Sequence, residues 1–282
     1  MITAPRAIDA VRVGHHYDEL DPFYRSLWGE HLHHGLWING RETPEEAALG
    51  LVEAVVARAG IGPGSTVCDV GCGYGATGRE LVRRGARVVG ITVSERQFAV
   101  ATARPGPGPL FLLRDWLAND LDDDGFDAVI AIESMAHMVD IPAALRESFR
   151  VLRPGGRLVL CVWLAGPAPR PWQIRHLLLP ICEEGRLPGL PGPDDYPRWL
   201  AGIGFASPVL EDVTDRVART WRICAGRVGR AMLRPRSWGY LLDRRNSERR
   251  FAVTVLRILV AYGTGGMRYG IVTARKPAPL EA

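Results

Sequence analysis

Two short stretches of the 282-residue chain carry side chains equipped for chemistry. In "VCDVGCGYGA" (67–76), Gly71, Gly73 and Ala76 fit the G-x-G-x-x-G/A spacing that lets a backbone approach a nucleotide closely, with Cys72 between the glycines. Asp69, ahead of the first glycine, is no part of that spacing. A carboxylate there suits a ligand with a positive amino group, such as a sulfonium amino acid. In "AIESMAHM" (131–138), Glu133 follows an apolar run and His137 stands four residues on. A helical turn would put the two on one side. Histidine titrates near neutrality, so His137 is a candidate base for an acceptor's proton, with Glu133 orienting it or stabilising positive charge. A local Glu–His hydrogen bond that merely shapes the loop accounts for the same two residues.

The glycines alone leave a dinucleotide and S-adenosylmethionine both open. A dinucleotide site asks for an acid about 20 residues beyond them, on the ribose hydroxyls. That position falls in "GITVS" (90–94), which has no acid before Glu95. Five of the seven histidines (His15, His16, His31, His33, His34) lie close together. They have no Cys or acid partner at a recognised ligand spacing, so the expectation is a packed aromatic–histidine cap and no metal.

Stepping from one punctuation signal to the next gives the elements that position these residues. Thr43-Pro44-Glu45-Glu46 opens a helix as a capping box with proline in its first turn, and Gly60 closes it. "TVCDV" (66–70), "RVVGITV" (87–93), "LFLLRD" (110–115), "FDAVIAI" (126–132) and "RLVLCVWL" (157–164) read as strands, with helices between them. Alternation of this kind predicts an α/β fold, a mostly parallel sheet covered by helices, binding its ligand beyond the carboxyl ends of the strands. After Leu164 the alternation fails: a Pro- and Gly-rich segment holds "WQIRHLLLPICEEG", and further strands are predicted near "SPVLEDV" (207–213) and "YGIVTAR" (269–275). The expected division is an N-terminal cap (1–60), a Rossmann-like core (61–164), and a lid with the last strands and the acceptor pocket (165–282).

With these motifs in place, "VCDVGCGYG" resembles the first motif of the class I S-adenosylmethionine-dependent methyltransferases. "GITVSERQ" (90–97) is similar to a variant found in their tocopherol, sterol and cyclopropane-fatty-acid branch. The resemblance implies S-adenosyl-L-methionine as cofactor, with Thr92 and Gln97 near its ribose in place of the usual acid. It implies that Asp115 in "RDW" accepts from the adenine amino group while Trp116 stacks on or borders the ring. "YDELDPFYRSLWGEHLHHGLW" (17–37) and "AIESMAHM" resemble segments of gamma-tocopherol methyltransferases, which implies that Tyr17 closes over the methionine end of the cofactor. The likeness is strong over 17–160 and thin afterwards, where the acceptor pocket lies, so tocopherol itself is not implied.

The reading that results is in-line methyl transfer to a small, largely apolar acceptor held by lid residues such as Trp172, Trp199, Trp221 and Tyr240. C-methylation of a prenyl diphosphate, with Glu133 stabilising a cation, and cofactor binding without turnover are the alternatives. The diphosphate version draws on twelve arginines against two acids between Arg216 and Arg257, although a solvated helical surface explains that run equally well. No recognition motif or aromatic interleaving points to nucleic acid. No apolar run approaches the roughly 18 residues of a membrane span. The five cysteines are scattered and odd in number, and no secretory pattern opens the sequence, so a cytoplasmic setting is expected.

Overall fold

The computed structural model describes residues 1–4, 8–27, 30–232 and 251–278. A two-residue strand, β1 (Ile2–Thr3), is followed by α1 (Ala10–Leu27) and then α2 (Pro44–Ala59). The capping box forms as the sequence predicts. Thr43 accepts from the Glu46 backbone, Glu46 accepts from the Thr43 backbone, and Gly60 ends the helix in the left-handed region.

The core then alternates β2 (Thr66–Val70), α3 (Ala76–Arg83), β3 (Arg87–Thr92), α4 (Glu95–Thr102), β4 (Leu110–Leu113), β5 (Phe126–Ile132), α5 (Ile141–Val151) and β6 (Leu152–Ala165). The lid follows: α6 (Pro171–Gln173), one π turn (Ile174–Leu178), α7 (Leu179–Glu184), β7 (Gly189–Leu190) and α8 (Asp195–Ile203). The chain ends in β8 (Ala206–Asp212), α9 (Thr214–Val217), α10 (Arg219–Met232), α11 (Phe251–Gly263) and β9 (Met267–Arg275). β1 pairs with β7 and so ties the N-terminus to the lid.

The main sheet has the order β4-β3-β2-β5-β6-β9-β8. Its first five strands are parallel, and β9 runs antiparallel to both β6 and β8. Apolar residues of these strands feed two cores, one on each face, as a parallel sheet buried on both sides requires. The chain enters at β2, runs outward through β3 and β4, and crosses back to β5. The order therefore reverses between β2 and β5, and the crevice above their carboxyl ends is the place where such sheets bind ligands. α1 lies over that crevice. Its Asp18 accepts from the Ser94 hydroxyl and the Arg96 backbone at the start of α4, and its Asp21 accepts from the Tyr74 hydroxyl at 2.6 Å.

Candidate active site

The crevice holds about 820 Å³ of empty space, partly open to solvent. Its wall brings together Tyr17, Gly71, Gly73, Thr92, Gln97, Asp115, Trp116, Glu133 and His137 from the residues the sequence singled out. Asp69 and Cys72 line a smaller recess that shares Gly71 and Gly73 with it.

The glycine loop turns tightly because the Gly71 and Cys72 amides both donate to the Ile91 carbonyl. Gly71 has φ +75° and packs so close to Ser134 that a Cβ would stand 2.2 Å from the serine Cβ. Gly73 has φ +55°, and a Cβ there would meet nothing within 4 Å: it would project into open space beside the cleft. Asp69 is 3% exposed, and its Oδ2 is buried without a partner. Burial raises its carboxyl to about 7. A buried acceptor left unmatched in this way asks for a donor, and an ammonium group supplies both the hydrogen bond and the charge. The donor set therefore fits the amino acid end of S-adenosylmethionine.

At the end of β3, Thr92 donates to the Gln97 side-chain oxygen at 2.9 Å, which fixes the amide and leaves its NH₂ as the donor. Asp115 caps the 3-10 turn that follows β4 by accepting from the Leu117 amide. Trp116 is fully buried, with its indole N–H on the Ala144 carbonyl at 3.0 Å, so it borders the cleft as part of the core.

A second cavity, of about 650 Å³, lies behind the first. The two share one wall, formed by Tyr17, Leu32, Glu133 and His137. His137 Nδ1 lies 3.2 Å from the Arg186 carbonyl, which can only accept, so Nδ1 carries the ring proton. Nε2 is then a lone pair, and it accepts from the Tyr17 hydroxyl at 2.8 Å. Burial, with His16 nearby, lowers the ring to about 4, so it is neutral at physiological pH.

Glu133 does not orient His137, contrary to the expected pairing. The residue takes φ +63°, and His137 ends a 3-10 turn rather than a helix, which sends the carboxylate elsewhere. It accepts from the His34 backbone (2.7 Å) and ring Nδ1 (2.8 Å), from the Tyr269 hydroxyl (2.8 Å) and from Trp163 Nε1 (3.0 Å). Burial alone would raise this carboxyl, but the facing His34 and His33 rings and the His34 backbone amide outweigh it and hold it at about 2. Sequence reasoning missed this network. His34 stood in the "HHG" element, and Trp163 and Tyr269 are register partners on β6 and β9 whose only signal is an aromatic residue in an aliphatic strand.

The lid aromatics divide. Trp221 lines the second cavity, whereas Trp172 is 42% exposed and Trp199 packs on Tyr196 in the core away from it. Tyr240 lies outside the described residues, as do six of the twelve arginines of the arginine-rich run. Within the described part, Arg216 pairs with Glu211, Arg219 stacks over Trp37, and Arg257 pairs with Glu184. No helix among the described residues is long and apolar enough to cross a membrane.

Residues 68–160 match the family model described as a methyltransferase domain. The chain is 30% identical to 27-O-demethylrifamycin SV methyltransferase of Amycolatopsis mediterranei (strain S699), over 94% of this chain and 97% of that one. It is 29% identical to chloroplastic tocopherol O-methyltransferase of Arabidopsis thaliana, over 97% and 85%. The crystal structure of the cyclase SpnF superposes with a TM-score of 0.81 at 28% identity, covering 99% of this chain and all of that one.

Proposed function

The chain belongs to the class I S-adenosylmethionine-dependent methyltransferases, and from that premise we propose that it methylates the hydroxyl of a small, uncharged, largely apolar acceptor. The observation that carries this reading is the shared wall: the cleft above the glycine loop and a second, mostly apolar cavity meet at Tyr17, Leu32, Glu133 and His137. A group passing from one ligand to another crosses there.

In this reading Asp69 holds the amino group of the cofactor, and the loop from Gly71 to Gly73 lets the backbone approach it. Thr92 and Gln97 serve the ribose, and Asp115 and Trp116 the adenine. The cap (1–60) and the lid region (165–282) enclose the core (61–164). S-adenosylmethionine supplies, when bound, an electrophilic methyl group on a sulfonium that needs no further activation. The work left to the protein is alignment, exclusion of water and disposal of one proton.

A base held at about 4 cannot ionise a neutral hydroxyl beforehand. It has no need to, because a hydroxyl oxygen that has gained a methyl group becomes strongly acidic. The proton then passes to the Tyr17 oxygen as the tyrosine hands its own to His137 Nε2 across 2.8 Å. A neutral amine can keep the charge as an ammonium product and makes no such demand, whereas an alkene would have to shed a carbon-bound proton from the carbocation it forms. Among the described residues, no Lys or Arg lines the second cavity, so nothing there favours the diphosphate alternative.

The test is incubation with S-adenosylmethionine and a panel of neutral hydroxylated metabolites, amines and prenyl diphosphates, followed by mass spectrometry. A gain of one methyl on a hydroxyl supports the reading; cofactor uptake with no panel member modified overturns it. His137→Ala should lower kcat by about 100-fold or more while leaving cofactor affinity within about twofold. Equal loss of both would remove the proton-transfer role.

A further inference from the structure

Four hydrogen bonds converge on the Glu133 carboxylate, as an ionised carboxyl requires, and the groups around it do not neutralise it. Of its four donors, only His34 could carry positive charge. The Trp221 indole N–H points at His34 Nε2, and an indole can only donate. Nε2 is therefore a lone pair, and the single ring proton sits on Nδ1, facing Glu133. Tyr262 also approaches Nε2, at 3.4 Å.

The other titratable groups that face the carboxylate are neutral near pH 7. Burial lowers His33, beside His34, and His137, in the turn after β5. Burial raises the hydroxyls of Tyr17 on α1, Tyr262 on α11 and Tyr269 on β9. It also raises the thiols of Cys161 on β6 and Cys224 on α10. Arg114, which lines the cofactor cleft, is engaged by the Asn119 carbonyl and Asp120.

We propose that Trp221 and His34 are positioning residues that keep Glu133 an unneutralised anion at the wall between the two cavities, so that charge at this wall favours the cationic methyl donor over the neutral thioether it becomes. The inference rests on the methyl-transfer reading above. A buried carboxylate persists only when hydrogen bonds satisfy it, and four donors from three different segments do so here without cancelling its charge. In a partly dry site its field on a nearby cation is far stronger than in water. The donor and its product share adenosine, amino group and carboxylate, and differ in one methyl and one positive charge. Once the methyl has moved, the attraction at this wall is gone, which assists release of the product. The same anion disfavours an anionic acceptor.

The experiment is calorimetric titration of the full chain with S-adenosylmethionine and, separately, S-adenosylhomocysteine, without acceptor. Their affinity ratio cancels every contact the two ligands share, Asp69 included. Glu133→Gln should shift the ratio against the donor by about tenfold or more (about 1.4 kcal/mol), with the product's affinity little changed. Its product binding reports that the variant is folded. Should that variant fail to fold, Trp221→Phe decides alone. Without the indole donor, the contact that keeps His34 Nε2 an acceptor is gone, and the ratio should fall in the direction of Glu133→Gln. Wild-type ratios in the variants would overturn the proposal. A wild-type protein that binds neither ligand would instead overturn the methyl-transfer reading beneath it.

Discussion

Cofactor binding should expel a proton from Asp69. The empty protein holds this carboxyl at about 7, raised from 3.8 by burial, with Oδ2 unpartnered. An ammonium group brought against it restores the ionised form. The raised value means that the empty site keeps its proton up to about pH 7, so binding below that pH must release it. Linkage gives a release of roughly 0.9 proton at pH 6, about half at pH 7 and roughly 0.1 at pH 8. Affinity should then weaken about tenfold for each unit below pH 7, by at most about a thousandfold in all, since the gap is 7 − 3.8. Calorimetry at pH 6 in buffers of different ionisation enthalpy measures the released proton directly. The sign for the empty protein is the opposite: stability associated with Asp69 is present below about 3.8 and is lost as pH rises through about 7. Asp69→Asn should accordingly raise the melting temperature of the empty protein at pH 8, by the equivalent of about 1–4 kcal/mol, while it weakens binding. No proton release at pH 6, or an unchanged release in Asp69→Asn, would refute the assignment.

Two further outcomes follow from the geometry. With the cofactor saturating, the acid limb of kcat/KM for the acceptor should lie near 4, with activity lost as pH falls through that value rather than through 6.5, because burial depresses His137. Tyr17→Phe removes the hydroxyl that stabilises the neutral ring, so it should move that limb upward and lower kcat; an unmoved limb argues against the Tyr17–His137 contact. Gly73→Val should abolish cofactor binding, since a side chain there enters the cleft and its φ of +55° disfavours a branched residue. A variant that stays folded by circular dichroism yet binds normally would show that the loop does not approach the ligand.

The parallel core was legible because each of its signals is local. The Thr43 capping box, the glycine loop after β2 and the apolar runs at 66–70, 87–92 and 126–132 are decided within a few residues of themselves. The lining of the cleft was legible for the same reason, since Asp69, Gly71, Gly73, Thr92 and Asp115 sit at or just beyond the carboxyl ends of three adjacent strands and Gln97 lies in the first turn of α4. The second cavity was not. Its wall draws on α1, the turn after β5, β6, α7, α10 and α11, and the contacts that shape it span large separations, such as His34 with Trp221 and Tyr262. No local pattern encodes which of several tryptophans turns inward, and Trp172 and Trp199 face elsewhere.

The one local inference that failed, Glu133 with His137 on a helical turn, shows what the fold gains from breaking the pattern. A left-handed backbone at a glutamate costs about 1–3 kcal/mol and persists only where its surroundings over-determine it; four donors do that here. Had the chain continued as a helix, the carboxylate would have met the His137 ring and favoured its protonated form, and Nε2 would have had no lone pair to offer. Turned away, the carboxylate keeps its charge with His34, while the Arg186 carbonyl fixes the proton of His137 on the far nitrogen. An anion and a neutral base can then stand on the same wall without cancelling each other. In the proposed transfer from a cation to a hydroxyl, the anion would stand beside the departing charge and the base beside the departing proton.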